Sequence, residues 1–346
     1  MVKQIAPHAT DPRRLLALLS VLLAACSAAS TPSSSLAPSV GPSPSATSIV
    51  SPSPTAHPSP SEGTTKVIAS IPLDGVGDGA EIAVGGDSVW VHLVDGTVAR
   101  LDPRTNAVAA RIKVGHSPDG SVAIGDGAVW ATSFEEDKLS RIDPATDKIV
   151  AEIKLGANPG AILATPGAIW VSNHRGGSVS RIDPATNKVA ATISIGPAKP
   201  SGPASIRLVA SDLWVAVPNI SEVVRIDPAT NESVATVKVP GLFGLLVGRD
   251  TMYAYGIRDQ LYEIATDTNE VAGKFSPAFT PWGYGAGAFW GSDGKDLLRS
   301  EGAPFDTFTR WRVAGDQTGF VGYGFDDRSI WLLTDNGRVV RIEQPT

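Results

Sequence analysis

A short motif recurs seven times in this 346-residue chain, and its spacing constrains the fold more than any other feature. Six copies end in tryptophan, as in "GAVW" at 127–130 and "GAIW" at 167–170, and one ends in tyrosine, "DTMY" at 250–253. The final residues of successive copies lie 40, 40, 44, 39, 37 and 41 residues apart. Units of about 40 residues are typical of β-propeller blades, each of which buries apolar surface against its neighbours.

Each unit contains four segments with the character of β-strands. In the third unit they are "AILAT" (161–165), "AIWVSN" (168–173), "SVSRID" (178–183) and "KVAATISI" (188–195). The segments are short and rich in β-branched residues, and clusters of Gly, Pro or Asn separate them. The sequence therefore predicts an all-β fold, a seven-bladed β-propeller over residues 64–346 with four antiparallel strands in each blade.

The two ends of the repeat region are complementary. The region opens with "KVIASIPL" at 66–73, which resembles the fourth strand of a unit, and the seventh unit stops after its third, "GRVVRIE" at 337–343. Pairing of these segments would complete the seventh blade and cover an exposed sheet edge. We therefore predict that the N-terminal strand pairs with the C-terminal blade and closes the ring.

An Arg and an Asp recur two residues apart at the end of the third segment, as in "SRIDPATNKV" at 180–189. Such a pair could be catalytic, or it could belong to a turn. Asp accepts backbone N–H bonds at the first position of a turn, and Pro presets φ at the second. Because every blade needs this turn whereas a catalytic site is usually unique, we interpret Asp102, Asp143, Asp183 and Asp227 as turn residues. The repeated tryptophans are interpreted in the same way, as packing groups between blades.

The first 26 residues have the features of a bacterial export signal. Lys3, Arg13 and Arg14 precede the apolar run "LLALLSVLLAA" at 15–25, which is short for a membrane span. The run leads into "LAAC" at 23–26, which resembles the lipobox of bacterial lipoproteins. The resemblance implies a signal peptide over residues 1–25 and acylation of Cys26, so that the exported chain is anchored to the membrane on its extracytoplasmic side.

Residues 26–63 are mainly Ser, Pro, Ala and Thr, with almost no charge and no apolar periodicity. Such a segment cannot bury a core, and it is predicted to be a disordered tether. At about 3 Å per residue, a Pro-rich tether of this length could extend on the order of 100 Å. The segment would hold the propeller away from the membrane.

Charge and cysteine content limit the possible partners. The net charge is −6, which disfavours binding to nucleic acid, and Cys26 is the only cysteine, so the propeller has no internal disulfide. We expect a monomeric domain whose partners are the membrane, through the lipid on Cys26, and an unidentified protein or small-molecule ligand.

The repeats, such as "GAVW" followed by "SRIDPATDKIVAEIKLG" at 140–156, are similar to those of YVTN-type propeller proteins and of the streptogramin (virginiamycin B) lyase-like superfamily. This resemblance covers residues 64–346 and implies the propeller fold. The resemblance also implies a lyase activity, because streptogramin lyases open a cyclic depsipeptide by elimination, using histidines that include a His-x-His pair, a Glu and a divalent metal. This chain has no His-x-His pair, and its repeats contain only His92, His116 and His174. We therefore predict no catalytic residue, no bound metal and no cofactor.

Propeller topology indicates where a binding site would lie. The loops between second and third strands and the loops between blades share one face, around the central funnel. The most distinctive of these loops are "SNHRGG" at 172–177 and "TPWGYG" at 280–285, because bulky or ionisable groups interrupt the repeat there. The predicted binding residues are His92, Asp119, Phe134, Asn158, Asn173, His174, Arg175, Trp282 and Tyr284.

Three hypotheses follow. The first is a surface-anchored lipoprotein whose propeller binds a ligand or protein through its funnel face without catalysis. The second is an enzyme of the lyase-like superfamily, with a site that the sequence does not reveal. The third is a structural module of a cell-envelope layer. A convergent cluster of His, Asp and Glu in the funnel favours the second hypothesis, and an aromatic funnel without titratable pairs favours the first. A bare funnel with adhesive sides favours the third.

Overall fold

The computed structural model describes residues 61–116, 119–198, 202–257, 259–313 and 319–344. Cys26, the predicted signal peptide and residues 26–60 of the predicted tether lie outside the described residues. Within the described ranges, the chain forms 29 β-strands and one short 3-10 helix, Pro218–Ile220. The same ranges contain no helix that is long and apolar enough to cross a membrane.

The strands follow one another in sets of four. The described part of the chain opens with β1 (Ser61–Thr65) and β2 (Val67–Pro72). Blade 1 consists of β3 (Glu81–Gly85), β4 (Ser88–His92), β5 (Thr97–Asp102) and β6 (Ala107–Lys113). Blade 2 consists of β7 (Val122–Gly125), β8 (Ala128–Ser133), β9 (Lys138–Asp143) and β10 (Lys148–Lys154). Blade 3 consists of β11 (Pro159–Thr165), β12 (Ala168–Asn173), β13 (Ser178–Asp183) and β14 (Lys188–Ser194). Blade 4 consists of β15 (Ser205–Val209), β16 (Asp212–Val217), β17 (Glu222–Asp227) and β18 (Glu232–Lys238).

The remaining strands complete the ring. Blade 5 consists of β19 (Gly244–Val247), β20 (Met252–Tyr255), β21 (Leu261–Ala265) and β22 (Glu270–Phe275). Blade 6 consists of β23 (Pro281–Gly285), β24 (Ala288–Ser292), β25 (Leu297–Ser300) and β26 (Thr309–Val313). Blade 7 consists of β27 (Phe320–Phe325), β28 (Ser329–Thr334) and β29 (Arg338–Glu343), with β2 as its fourth strand. The predicted seven-bladed β-propeller is confirmed.

The first strand of each blade lines the centre of the ring. Each of these inner strands lies close to that of a neighbouring blade, and contacts between β27 and β3 join the last blade to the first. The second strands are the most enclosed, since every residue of β8, β12 and β28 is buried. The outer strands are the most exposed; in β14, for example, five of the seven residues are exposed and one is buried. Burial therefore peaks at the second strand, between the inner strand that lines the channel and the outer strand at the rim.

Seven hydrophobic clusters hold neighbouring blades together. The motif tryptophans lie in these clusters, and all six are at most 2 % exposed. Trp170, for example, packs with Leu213 and Val215 of the next blade. Burying a side chain of this size contributes about 4 kcal/mol or more to folding. The interpretation of the tryptophans as packing groups is confirmed.

Ring closure occurs as predicted, with one addition. Strand β2 pairs antiparallel with β29, and Ile71 lies opposite Val339. Strand β1 pairs in parallel with β26, so blade 6 has a fifth strand. The first three residues of β1, 61–63, belong to the predicted tether, and their side chains gave no strand signal. They are ordered because the open edge of β26 supplies hydrogen-bond partners.

The Asp of each motif forms the predicted turn. Asp143 accepts hydrogen bonds from the Ala145 amide and the Thr146 hydroxyl, both at 2.9 Å. These two bonds lower the pKa of Asp143, because they stabilise the carboxylate. Asp183 makes the same two bonds to Ala185 and Thr186.

The Arg of each motif connects its blade to the next one. The Arg181 guanidinium lies 5.3 Å from the Trp170 ring centre. Its Nη1 atom donates to the Pro228 carbonyl and to Asn231 Oδ1 of blade 4, both at 3.1 Å. Arg141 makes the equivalent bonds to blade 3, and Arg341 makes them to blade 1. The recurring Arg and Asp are therefore structural.

Candidate functional site

One face of the ring carries the loops between second and third strands and the loops that join consecutive blades. We call it the funnel face. The opposite face, which we call the turn face, carries the turns between first and second strands and between third and fourth strands. Six of the nine predicted binding residues have side chains at the funnel face, but these six do not form one cluster.

Aromatic side chains of blades 5, 6 and 7 line one part of the funnel, which we call the aromatic arc. Trp282 stacks on Tyr323 with ring centres 5.8 Å apart and planes at 21°. Phe320 meets the same indole edge-on at 6.1 Å. On blade 5, the Phe243 ring stacks on the Tyr255 ring with ring centres 5.4 Å apart. Trp282, Tyr323 and Phe243 are half-buried, so the uncovered part of this arc offers aromatic surface to a ligand.

Hydrogen bonds fix the two phenols of this arc. The Tyr323 hydroxyl donates to the Trp282 carbonyl at 2.6 Å, and the Tyr255 hydroxyl donates to the Pro281 carbonyl. Burial raises the pKa of Tyr323 to about 12 and raises that of Tyr255 well above its usual value. Both phenols are therefore neutral at physiological pH and act as rigid contact groups.

Two charged groups from the inner strands approach the arc. Arg207 of β15 lowers the pKa of Tyr323, opposing the larger effect of burial, whereas Glu81 of β3 raises it. Glu81 also accepts a hydrogen bond from the Ser121 hydroxyl at 2.5 Å. Blades 1 and 4 therefore bring charges of both signs close to the aromatic surface.

A second group of predicted residues meets at blades 2 and 3. The Phe134 and His174 rings are 6.0 Å apart and tilted by 47°. Asn158 Nδ2 donates to the Phe134 carbonyl at 2.9 Å, which joins the inter-blade loop to this pair. His174 Nδ1 lies 3.2 Å from the Pro203 carbonyl and donates to it, and Arg175 is exposed beside it. This patch combines an aromatic ring, an imidazole and a guanidinium.

Two predicted surface residues are instead interior. His92 is fully buried, with Nε2 3.1 Å from the Thr132 carbonyl, and its ring lies against Gly120, where no side chain would fit. Burial lowers its pKa to about 4, so the imidazole is neutral at pH 7. Asn173 is also fully buried, and its Nδ2 donates to the Ser178 and Ser180 hydroxyls at 2.9 Å. Both side chains point between blades.

Tyr284 lies on the turn face rather than the funnel face. It follows Trp282 by two residues at the far end of β23, and its ring packs edge-on against Phe289 at 5.0 Å. Asp119 is half-buried in the loop that leads to β7, on the funnel face. The structure therefore brings Phe134, Asn158, His174 and Arg175 together, places Trp282 in the separate aromatic arc, and leaves Asp119 outside both.

The three histidines of the repeats occupy different environments. His92 is interior, His174 lies on Phe134, and His116 Nδ1 is 2.8 Å from Glu135 in an exposed pair. Among the described residues, no three His, Cys, Asp or Glu side chains are close enough together to hold a metal ion.

Four residues of the funnel were not predicted from the sequence: Glu81, Arg207, Tyr255 and Tyr323. The strand register contains a signal for two of them. Tyr323 pairs with Leu332 at the position that Ile82 holds in blade 1, and Arg207 pairs with Trp214 at the position held there by Ala83. In both cases an aromatic or charged residue replaces the aliphatic residue of blade 1. Such a replacement on an inner strand is the sequence signal for a residue that faces the channel.

The fold defines the chain as a seven-bladed β-propeller protein, and comparison with known proteins supports this class. No family model and no curated protein sequence matches the chain. Among solved structures, it is similar to selenomethionine-substituted virginiamycin B lyase from Staphylococcus aureus, with a TM-score of 0.66 and 20% identity. A catalytically inactive histidine-to-alanine variant of that lyase with quinupristin gives a TM-score of 0.65 and 20% identity. Each match covers 81% of this chain and 100% of the lyase. The predicted likeness to lyase-like propellers is confirmed for the fold.

Proposed function

We propose that this protein is a surface-anchored lipoprotein whose propeller binds a ligand or a partner protein through its funnel face, without catalysis. The observation that carries the proposal is the half-buried Trp282–Tyr323 stack at the funnel, part of whose surface is open to solvent. Large rigid aromatic groups lose little conformational entropy on binding and bury much apolar surface. The surface anchoring rests on Cys26 and the preceding apolar run.

The chemistry of the funnel face favours a ligand that is partly apolar. The aromatic arc would contact flat or apolar groups, while His174 and Arg175 on blade 3 would bind carbonyl or anionic groups. Because these residues come from separate blades, a compact macrocycle or an exposed protein loop fits this surface better than a very small molecule does.

A lyase activity is the second candidate, favoured by the structural likeness to virginiamycin B lyase. In that case His174 would be the base, since it is half-exposed whereas His92 is buried. An elimination needs such a base together with an acid or metal that stabilises the leaving group.

One titration separates the two candidates. We would add quinupristin, the compound found with the lyase variant, to the purified propeller with and without Mg²⁺. Calorimetry would follow binding, and chromatography of the same samples would follow opening of the lactone. We expect saturable binding without opening, and about tenfold weaker binding for Trp282→Ala.

A matched control is available on the outer rim. Trp311, the other half-buried tryptophan, lies on β26 against Gly63, so Trp311→Phe should bind quinupristin as the wild type does. Metal-dependent opening that His174→Ala abolishes would establish the lyase instead. Absence of saturable binding would exclude the funnel as a site for this class of compound.

A further inference from the structure

Six of the seven blades share a stacked Arg–Trp pair near the turn face. The third-strand Arg and the second-strand Trp face each other across adjacent strands, as Arg181 and Trp170 do. The guanidinium lies 4.8–6.0 Å from the ring centre in all six pairs. The pairs are Arg100–Trp90, Arg141–Trp130, Arg181–Trp170, Arg225–Trp214, Arg299–Trp290 and Arg341–Trp331.

Blade 5 lacks this pair. Its register places Tyr253 opposite Glu263, so a phenol replaces the indole and a carboxylate replaces the guanidinium. The turn that would receive the Arg is changed as well, because residues 301–305 of blade 6 read "EGAPF" where blades 1 to 4 have "DPAT" or "DPRT". Charge has therefore been reversed at one of seven equivalent positions.

A cavity of about 710 Å³ opens at this position, between blades 5 and 6 on the turn face. Tyr253, Glu263 and Phe275 form its wall on blade 5, and Tyr284 and Phe289 form its wall on blade 6. Phe275 meets Tyr253 edge-on at 6.3 Å, and Tyr253 meets Phe289 edge-on at 5.9 Å. The cavity is thus an open cleft with aromatic side chains in both walls and the Glu263 carboxylate on the blade 5 side.

The Glu263 carboxylate has no cation of its own. It is half-buried, and no described residue forms an ion pair with it. Glu301, also in the lining, is already bound by Arg299 at 2.6 Å. Arg249 and Asp250 lie exposed at the rim, where their opposite charges offset each other. A partly desolvated carboxylate beside aromatic faces attracts an organic cation through ion pairing and cation–π contact.

We propose that this cavity, which we call the blade 5–6 cleft, binds an arginine side chain of a partner polypeptide. We choose arginine because, in each of the other six blades, the third-strand residue equivalent to Glu263 is an Arg whose guanidinium stacks on an aromatic ring. The planar guanidinium would pair with Glu263 and lie against Tyr284 or Phe275. The site is on the opposite face from the funnel, so it is independent of the function proposed above.

The test uses two peptides that differ only in charge. Ac-Gly-Arg-Gly-amide and its citrulline counterpart, which is neutral and nearly the same shape, would be titrated into the purified propeller by calorimetry. We expect the arginine peptide to bind at least about tenfold more tightly than the citrulline peptide, and to lose about tenfold in affinity in Glu263→Gln. Circular dichroism would verify that the variant is folded.

Two further variants distinguish binding in the cleft from binding elsewhere on the propeller. Arg249→Ala removes a competing cation at the rim and should leave binding unchanged or tighter, whereas Trp282→Ala on the funnel face should leave it unchanged. Equal affinity for the two peptides, wild-type affinity in folded Glu263→Gln, or loss of binding in Trp282→Ala would overturn the proposal.

Discussion

Arg181 links two blades through one side chain. Its guanidinium covers Trp170 and donates two hydrogen bonds to the turn of blade 4. These bonds need a planar group with several donors held in a fixed direction. Lysine carries the same charge but lacks both the planar face and the fork of donors.

We therefore expect Arg181→Lys to lower the free energy of unfolding by about 1–2 kcal/mol. Urea denaturation followed by circular dichroism would measure the change. The control is Lys188→Met, which removes an exposed cation from the outer strand of the same blade and should change stability by less than about 0.5 kcal/mol. Equal losses in the two variants would show that the guanidinium geometry is unimportant.

His92 makes stability depend on pH. Burial lowers its pKa from 6.5 to about 4, and nearby Asp95 raises it less than burial lowers it. Between these values the unfolded state binds the proton and the folded state does not. The contribution of this residue is therefore complete above about pH 6.5 and is lost as the pH falls toward 4.

We expect the wild type to lose roughly 3 kcal/mol more of its unfolding free energy than His92→Gln does when the pH is lowered from 7.5 to 4. Glutamine keeps a donor for the Thr132 carbonyl but does not titrate. Comparing wild type with variant cancels the titration of the carboxylates. Identical pH profiles for the two proteins would mean that His92 is not held neutral by burial.

At the scale of elements, strands β1 and β2 contribute differently to the stability of the ring. Strand β2 completes blade 7 and buries Ile71, whereas β1 adds a fifth strand at the rim of blade 6. Removing β2 would expose the edge of β29 and open the cluster between blades 7 and 1.

We expect a chain that begins at Gly75 to melt more than about 5 °C lower than the wild-type propeller and to aggregate. A chain that begins at Lys66 lacks β1 but keeps β2, and it should melt much closer to the wild type. Differential scanning calorimetry with light scattering would measure both. If the shorter chain melts like the longer one, pairing of β2 with β29 does not hold the ring closed.

At the scale of the whole molecule, the seven interfaces are not equivalent. Five are mainly aliphatic around their tryptophans, and the interface between blades 6 and 7 adds Phe320, Trp282 and Tyr323. The interface between blades 5 and 6 contains Tyr253, Tyr255, Phe279, Phe289 and Phe305. It has neither the Arg–Trp pair nor the usual turn. The ring thus combines a repeated scaffold with one divergent interface and one aromatic arc, and both distinctive surfaces involve blades 5 and 6.

Placement of the molecule in the cell is testable through one residue. If the lipid on Cys26 anchors the chain, we expect Cys26→Ser to move the protein from the membrane fraction to the soluble exported fraction, because a single stretch of Ser and Pro has no membrane affinity of its own. Ser27→Ala is the matched control and should stay with the membrane. Continued membrane association of Cys26→Ser would contradict the lipid anchor.

The repeat by itself determined the architecture. Tryptophan spacing, the "DPAT" turns and the short β-branched segments act locally, through backbone hydrogen bonding and alternation of burial, so they can be interpreted one unit at a time. The same locality made the roles of Asp143 and Trp170 predictable, and matching ends of the chain made closure by β2 predictable.

Only the tertiary structure decided which side chains face a ligand. His92 and Asn173 were expected on the funnel face and are buried between blades, Tyr284 lies on the turn face, and Tyr323 reaches Trp282 from another blade. The pairing of β1 with β26, across 248 positions of sequence at Ser61 and Thr309, was equally invisible. Each of these outcomes depends on packing between residues that are distant in sequence, whereas a repeat pattern specifies only the hydrogen bonding and burial within its own unit.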